Sequence, residues 1–327
     1  MIKGIVSRLV SSGVGQGLLG ALERVDDRRP NRVRVLTYHR AGSPESFEAQ
    51  MRYLAEHTCP VSMQELVDAL EGRRELPPRA VMVTFDDAYT DFAQVAWPAL
   101  KRYGIPVTLF VPTGYPGGAL PAFWWDRLSY ALAHTTRRTP LDTPFGPLPL
   151  ATPGERGQAF KRLTSYVKSL PHDEGMAFVE QIAGALHDGT PPCDVLGWDE
   201  LRQLAAEGVT LGAHTRTHPL LTRVPLDVAR REVVGSLEDL RREIGEVMPV
   251  FAYPAGAYNA EVVAILKEAG FRLAFTTIKG TNDLARLDPL RLRRINVKED
   301  ATVGTLRARL LLYTARLNGL RALPQAA

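Results

Sequence analysis

From Val33 onward, short apolar runs alternate with helical patterns, and that alternation commits the chain to a sheet of mostly parallel strands joined by helical crossovers. VRVLTY (33–38) reads as a first strand, Ser62 caps the amphipathic MQELVDAL, and AVMVTF (80–85) reads as a buried strand. A helix over 88–103 ending at Gly104 and the strand PVTLFVP (106–112) complete one strand-helix-strand unit. The rhythm resumes with the helical WDELRQLAAEG, VTLGAH (209–214), a helix over 226–245, VFAYP (250–254), a helix over 260–269, FRLAFTT (271–277) and RLRRINV (291–297). Residues 115–195 interrupt it. There FWWDRLSYALAH (123–134), 155–170 and 173–187 read as helices around a proline-rich stretch, which makes this segment an expected insertion.

A chain of 327 residues accommodates two domains or one α/β barrel with an insertion. Hydrophobic residues at 45% and charged residues at 23% exclude a disordered or collagen-like chain. The net charge of +4 comes from scattered arginines rather than a basic stripe, so nucleic acid is not an expected partner. Cys59 and Cys193 stand in no metal or redox spacing. No run approaches the ~18 apolar residues of a membrane span. Arg8, Ser11, Ser12 and Gln16 interrupt any signal core, so the expected location is cytoplasmic.

Both ends read as helical. In residues 1–32, Ile2, Val6, Leu9 and Val10 share a face beside Lys3 and Arg8; in residues 299–327, Leu306, Leu310, Tyr313, Leu317 and Leu320 form a stripe. Each segment either packs on its own domain or makes a peripheral contact with the inner face of a membrane.

Two groups sit where strands end, the place where parallel barrels collect catalytic residues. In Thr84-Phe85-Asp86-Asp87 two neighbouring carboxylates call for a positive partner, a shared proton or a metal, unless one merely caps the next helix. In His214-Thr215-Arg216-Thr217-His218 the histidines stand at i and i+4, facing one side of a helical turn, where both can ligate one cation. One carboxylate with two imidazoles suits zinc or another divalent transition metal.

TFDD (84–87), HTRTH (214–218) and FAYPAGAYN (251–259), in that order, resemble the polysaccharide deacetylase family, the NodB-like carbohydrate esterases. The resemblance implies a distorted (β/α) barrel over residues 33–298 and metal-dependent removal of an acyl group from an aminosugar nitrogen. It makes Asp87, His214 and His218 the metal ligands, Asp86 the general base, and the backbone N–H of Ala255, where the family usually has tyrosine, the oxyanion donor. Two departures follow from the same comparison. The arginine that often pairs with the base is replaced by Ala252, and either Arg293 or Arg294 supplies the charge or both are solvated strand residues. The family's late histidine acid is missing, since no histidine follows His218. His39 is the candidate acid, against a structural role for it or proton return by Asp86 or the metal-held water.

Tyr38, Pro254, Tyr258, Arg294 and Trp125 are candidate substrate contacts; for Trp124 and Trp125, sugar stacking competes with plain core packing, and Trp198 is assigned to packing. The expected substrate is an N-acylated glycan or glycolipid: the N-acetyl amide of a sugar in a cell-envelope or exopolysaccharide precursor, polyprenyl-linked if a terminal helix touches the membrane. Deformylation of a lipid-linked aminosugar, deacetylation of a soluble small glycoside, and a metal-free glycan-binding barrel are the rival expectations.

Overall fold

The computed structural model describes residues 30–118 and 120–313. The proposed N-terminal helix with Ile2, Val6, Leu9 and Val10, and the end of the C-terminal one with Leu317 and Leu320, lie outside the described residues.

The sheet runs β7-β6-β5-β4-β3-β1-β8 in space. Its strands are β1 (Arg32–Tyr38), β2 (Cys59–Pro60), β3 (Ala80–Phe85), β4 (Val107–Val111), β5 (Thr210–Ala213), β6 (Val250–Ala252), β7 (Leu273–Phe275), β8 (Asn282–Asp283) and β9 (Ile295–Asn296). Neighbours from β7 to β1 are parallel, while β8 runs antiparallel to β1. The late segment does more than RLRRINV as a strand would suggest. Its Leu292 bridges Phe275 of β7, and three residues later β9 begins to pair with β1, Ile295 with Leu36 and Asn296 with Thr37. One short segment thus joins the two sides of the sheet and closes the distorted barrel.

Strand alternation sorts the core into two layers. Leu36, Tyr38, Val83, Phe85, Leu109, Val111, Ala213 and Phe251 face a cluster shared with the surrounding helices. Val33, Val35, Met82, Phe110, Val250, Ala252, Phe275 and Leu292 form the opposite cluster. Gly212 is needed there, because a Cβ would stand 2.6 Å from the Phe110 ring.

The helices are α1 (Pro44–His57), α2 (Met63–Leu70), α3 (Trp97–Arg102), α4 (Trp124–His134), α5 (Pro153–Ser169), α6 (His172–Leu186), α7 (Trp198–Ala206), α8 (Leu226–Ile244), α9 (Ala260–Glu268) and α10 (Val303–Leu312). Ser43 caps α1, and a capping box at Ser62 and Glu65 opens α2. The helix expected over 88–103 is shorter: a π turn over Phe92–Ala96 leads into α3, because the chain first makes a left-handed turn at Asp87 and Ala88. Between β4 and α7, helices α4, α5 and α6 bury Leu128, Leu163, Val179 and Ile182 in a cluster of their own. Helix α10 buries Leu306 and Leu310 and packs on α1. Among the described residues no helix is long and apolar enough to cross a membrane.

Candidate active site

At the end of β3 the Asp86 N–H still donates to the Tyr38 carbonyl at 2.9 Å. Alternation sends Phe85 to the helix-facing layer and Asp86 to the other side. Asp87 would follow Phe85, but left-handed backbone at Asp87 and Ala88 (φ 72° and 53°) swings it back, so both carboxylates line one cleft of about 270 Å³. Such backbone costs on the order of 1–3 kcal/mol per residue and gathers where function requires it.

The histidine segment is not the helical turn its spacing suggested. β5 stops at Ala213, and left-handed Thr215 and His218 (φ 65° and 59°) fold the segment into a tight loop. The Thr215 hydroxyl accepts the His218 N–H at 3.0 Å. Helix α8 holds the loop from behind. Glu232 accepts the N–H groups of Arg216 and Thr217 at 2.7 and 2.9 Å and the Thr217 hydroxyl at 2.8 Å. Asp239 receives the Arg216 guanidinium through two bonds of 2.7 and 2.9 Å. Gly235 leaves the space for that guanidinium, whose Cζ would lie 2.3 Å from a Cβ.

Three donor atoms converge. His214 Nε2 and His218 Nε2 stand 3.5 and 3.4 Å from Asp87 Oδ1 and 3.2 Å from each other. Ligands bonded at ~2.0–2.1 Å around a tetrahedral zinc lie about 3.3 Å apart, so this triangle matches a single ion. His214 Nδ1 pairs with the Ala252 carbonyl at 2.7 Å, which orients the ring with Nε2 toward Asp87. Asp87 Oδ1 is buried without a hydrogen-bond partner, an orphan that a cation would satisfy.

The electrostatics agree. Burial pushes the Asp87 pKa up, but His214, His218 and His39 outweigh it and hold the carboxyl well below the usual range. Burial drives His218 down to about 3, with His214 adding to the effect against the pull of Asp87. Burial also works against His214, yet the neighbouring Asp87 and Asp86 carboxylates keep it above the ordinary histidine range. The pocket calls for one positive charge between the carboxylate and the rings.

Asp86 has a different partner. Arg294, 1% exposed, grips it with two bonds of 2.7 and 2.8 Å, and its Nε donates to the Thr276 carbonyl at 2.9 Å. Burial raises the Asp86 pKa, but Arg294, with His214 and His39 adding to it, more than cancels this and leaves it below the usual range. Of the two arginines, Arg294 is the one that gives Asp86 a positive partner, and its guanidinium is spent there rather than offered to the cleft; Arg293 is exposed. His39 Nε2 stands 4.0 Å from Asp86 Oδ2 with its side chain 44% exposed at the cleft. Ala255, left-handed at φ 51°, lines the cleft beside Thr277.

Three further expectations need correction. Tyr38 points away from the cleft into the helix-facing layer, stacks on Phe85 and donates its hydroxyl to Gln50 at 3.0 Å. Pro254 is buried and shapes the turn. Tyr258 leans on Tyr253 beneath Arg291. None of the three lines the cleft. Trp124 and Trp125 part company: Trp124 belongs to the core of the helical segment, although it borders the cleft, while Trp125 walls both the cleft and an adjoining hollow of about 440 Å³.

Trp125 is fixed by residues that the sequence alone did not single out. Its Nε1 donates to the Tyr89 hydroxyl at 2.8 Å, which donates to Asp126 at 2.8 Å, and Arg40 lies 3.7 Å over the Tyr89 ring. Its ring stacks on Phe123 and meets His218 edge-on at 4.8 Å. Only the position of Tyr89 just after the aspartate pair hinted at this role. Lys168 of α5 also lines the cleft, and nothing in its local sequence marks it.

With the geometry in place, the comparisons are decisive on family. The profile of the polysaccharide deacetylases matches residues 73–145 and 151–274, more than half of the chain. The chain belongs to the polysaccharide deacetylase family. It is 19% identical over 264 residues, 78% of this chain and 68% of the relative, to the deacetylase candidate YxkH of Bacillus subtilis (strain 168). A stretch of 76 residues, 23% of this chain and 26% of the relative, is 33% identical to a poly-β-1,6-N-acetyl-D-glucosamine N-deacetylase of Staphylococcus aureus. The fold is shared with the Streptococcus pyogenes deacetylase PplD (TM-score 0.57, 20% identity, 86% of this chain and 99% of that one). It is shared as well with IcaB of Ammonifex degensii (TM-score 0.55, 22% identity, 86% and 97%). In this polysaccharide deacetylase, Asp86, Asp87, His214 and His218 are drawn together at one cleft.

Proposed function

We propose that this deacetylase hydrolyses the N-acetyl amide of an aminosugar in a cell-envelope or exopolysaccharide glycan or its precursor, with a divalent metal held by Asp87, His214 and His218. The observation that carries the reading is the triangle of three donor atoms, one of them an unsatisfied buried carboxylate oxygen, next to a second carboxylate tied to Arg294. A divalent ion at that triangle supplies Lewis-acid polarisation of the amide carbonyl and of the attacking water.

The remaining chemistry belongs to the chain. Asp86, kept ionised by Arg294, accepts the proton of the water, and the two-point grip fixes the carboxylate as it does so. The Ala255 backbone N–H, displayed by its left-handed turn, is proposed to face the acyl oxygen as charge develops there. His39, exposed at the mouth and 4.0 Å from Asp86, is proposed to return a proton to the departing nitrogen. The products are a free amine and a carboxylic acid. Trp125, locked in plane by Tyr89 and Phe123, offers a flat face to the sugar ring.

The test is NMR detection of acid released from a panel of N-acylated glycans and glycolipids with and without chelator. Acetate that disappears with chelator and returns with zinc supports the proposal. Release indifferent to chelator contradicts the metal assignment, and formate in place of acetate transfers the reading to a deformylase.

A further inference from the structure

Helix α5 carries Phe160, Thr164 and Lys168 at intervals of four, a single stripe, and all three line the cleft that holds Asp87 and the two histidines. The adjoining stripe, Ala159, Leu163 and Val167, is spent on the core of the helical segment. The segment therefore works as a scaffold that hangs one face of α5 over the site.

At the end of that face is a cation with no structural partner. Arg294 is paired with Asp86, Arg216 with Asp239 and Arg40 with Asp194, but among the described residues Lys168 has no carboxylate within ion-pair distance. Of the carboxylates in its own cleft, Asp86 is bonded to Arg294 and Asp87 is turned toward the histidine pair. Lys168 is exposed on the wall of that cleft, within the negative field of Asp87. An ammonium on a substrate cleft, paired with no carboxylate, is free to meet a ligand that brings its own negative charge.

We infer that Lys168 forms an anion subsite, and that the substrate is an anionic glycan with phosphate or carboxylate oxygens on, or next to, the N-acetylated sugar. This rests on the deacetylase reading above and adds the class of substrate to it. A lysine is a point charge with rotatable donors, without the planar fork of arginine, so a phosphate ester and a uronate carboxylate both satisfy it. The Thr164 hydroxyl, one turn back, is a second donor for the same oxygens, and Phe160 covers the apolar side of the approach.

The experiment measures kcat and KM for acetate release by the full chain on four probes. These are chitotriose as the neutral reference, N-acetylglucosamine 1-phosphate, an N-acetylglucosamine–glucuronate disaccharide, and a farnesyl-diphosphate-linked N-acetylglucosamine. Wild type is compared with Lys168→Met and Lys168→Arg. The expected result is that Lys168→Met lowers the ratio of kcat/KM for a charged probe over chitotriose about tenfold, through KM, and that Lys168→Arg recovers most of it. The phosphate and uronate arms identify the source of the charge. An unchanged ratio, or an equal fall in kcat on every probe, overturns the subsite. If no probe is hydrolysed, the deacetylase reading fails separately, and saturation-transfer NMR of the phosphate and uronate probes on chelated protein still decides the subsite. A signal present in wild type and lost in Lys168→Met supports it; equal signals, or none in either protein, overturn it.

Discussion

Asp86 and Asp87 are chemically identical neighbours given different tasks by their surroundings. Asp86 meets a guanidinium and Asp87 meets two imidazoles, which on the proposed function makes one the ionised base and the other a metal ligand. Replacing Asp86 with asparagine is expected to lower turnover at least ~100-fold, the usual scale of a lost general base, while zinc content stays at the wild-type level; steady-state kinetics with elemental analysis checks both. Arg294→Gln removes the charge that opposes burial, so the Asp86 pKa rises. Because the base works only when ionised, activity is lost as pH falls through that pKa, and the acid limb of the kcat/KM profile is expected to move to higher pH. A limb that stays in place would show that Asp86 does not set it. The four chemistry-bearing residues were legible in the sequence because their types are telling and they end strands. Arg294 was left between two readings, since 208 positions separate it from Asp86 and only barrel closure brings them together.

At the scale of elements, helix α8 is the back plate of the histidine loop. Glu232 takes up the N–H groups of Arg216 and Thr217, which allows the left-handed residues on either side of them to persist. Glu232→Ala is expected to weaken zinc binding about 10- to 100-fold, the range seen when support behind a ligand is lost, with Glu232→Gln intermediate. Calorimetric titration with zinc measures it, and wild-type affinity in the alanine variant would remove Glu232 from this role. Strands and helices were readable from periodicity, and α8, α9 and the three helices of the segment between β4 and α7 fall within a few residues of their expected spans. What failed was local geometry. Spacing of i and i+4 in HTRTH implies a helical turn only if the backbone stays right-handed, and Thr215 and His218 do not. Tyr38 failed for a related reason: a residue at a strand end faces the site or the helices according to strand parity, which the sequence does not print.

For the whole molecule, the barrel brings the ends of β1, β3, β5 and β6 to one mouth, and the segment from Leu292 to Asn296 closes it while delivering Arg294. The helical segment supplies the outer wall through Trp125, Phe160 and Lys168, contributions invisible in sequence because they depend on how three helices pack. Helix α10 uses Leu306 and Leu310 to pack on α1, so that part of the C-terminal stripe serves the fold. The central claim is that Asp87, His214 and His218 hold one ion, and elemental analysis of chelator-stripped, zinc-reloaded wild type and His218→Ala tests it most directly. A single zinc equivalent in the wild type that is lost in His218→Ala, with the variant still folded by circular dichroism, is the predicted result. A full equivalent retained by His218→Ala, or none taken up by the wild type, would contradict it.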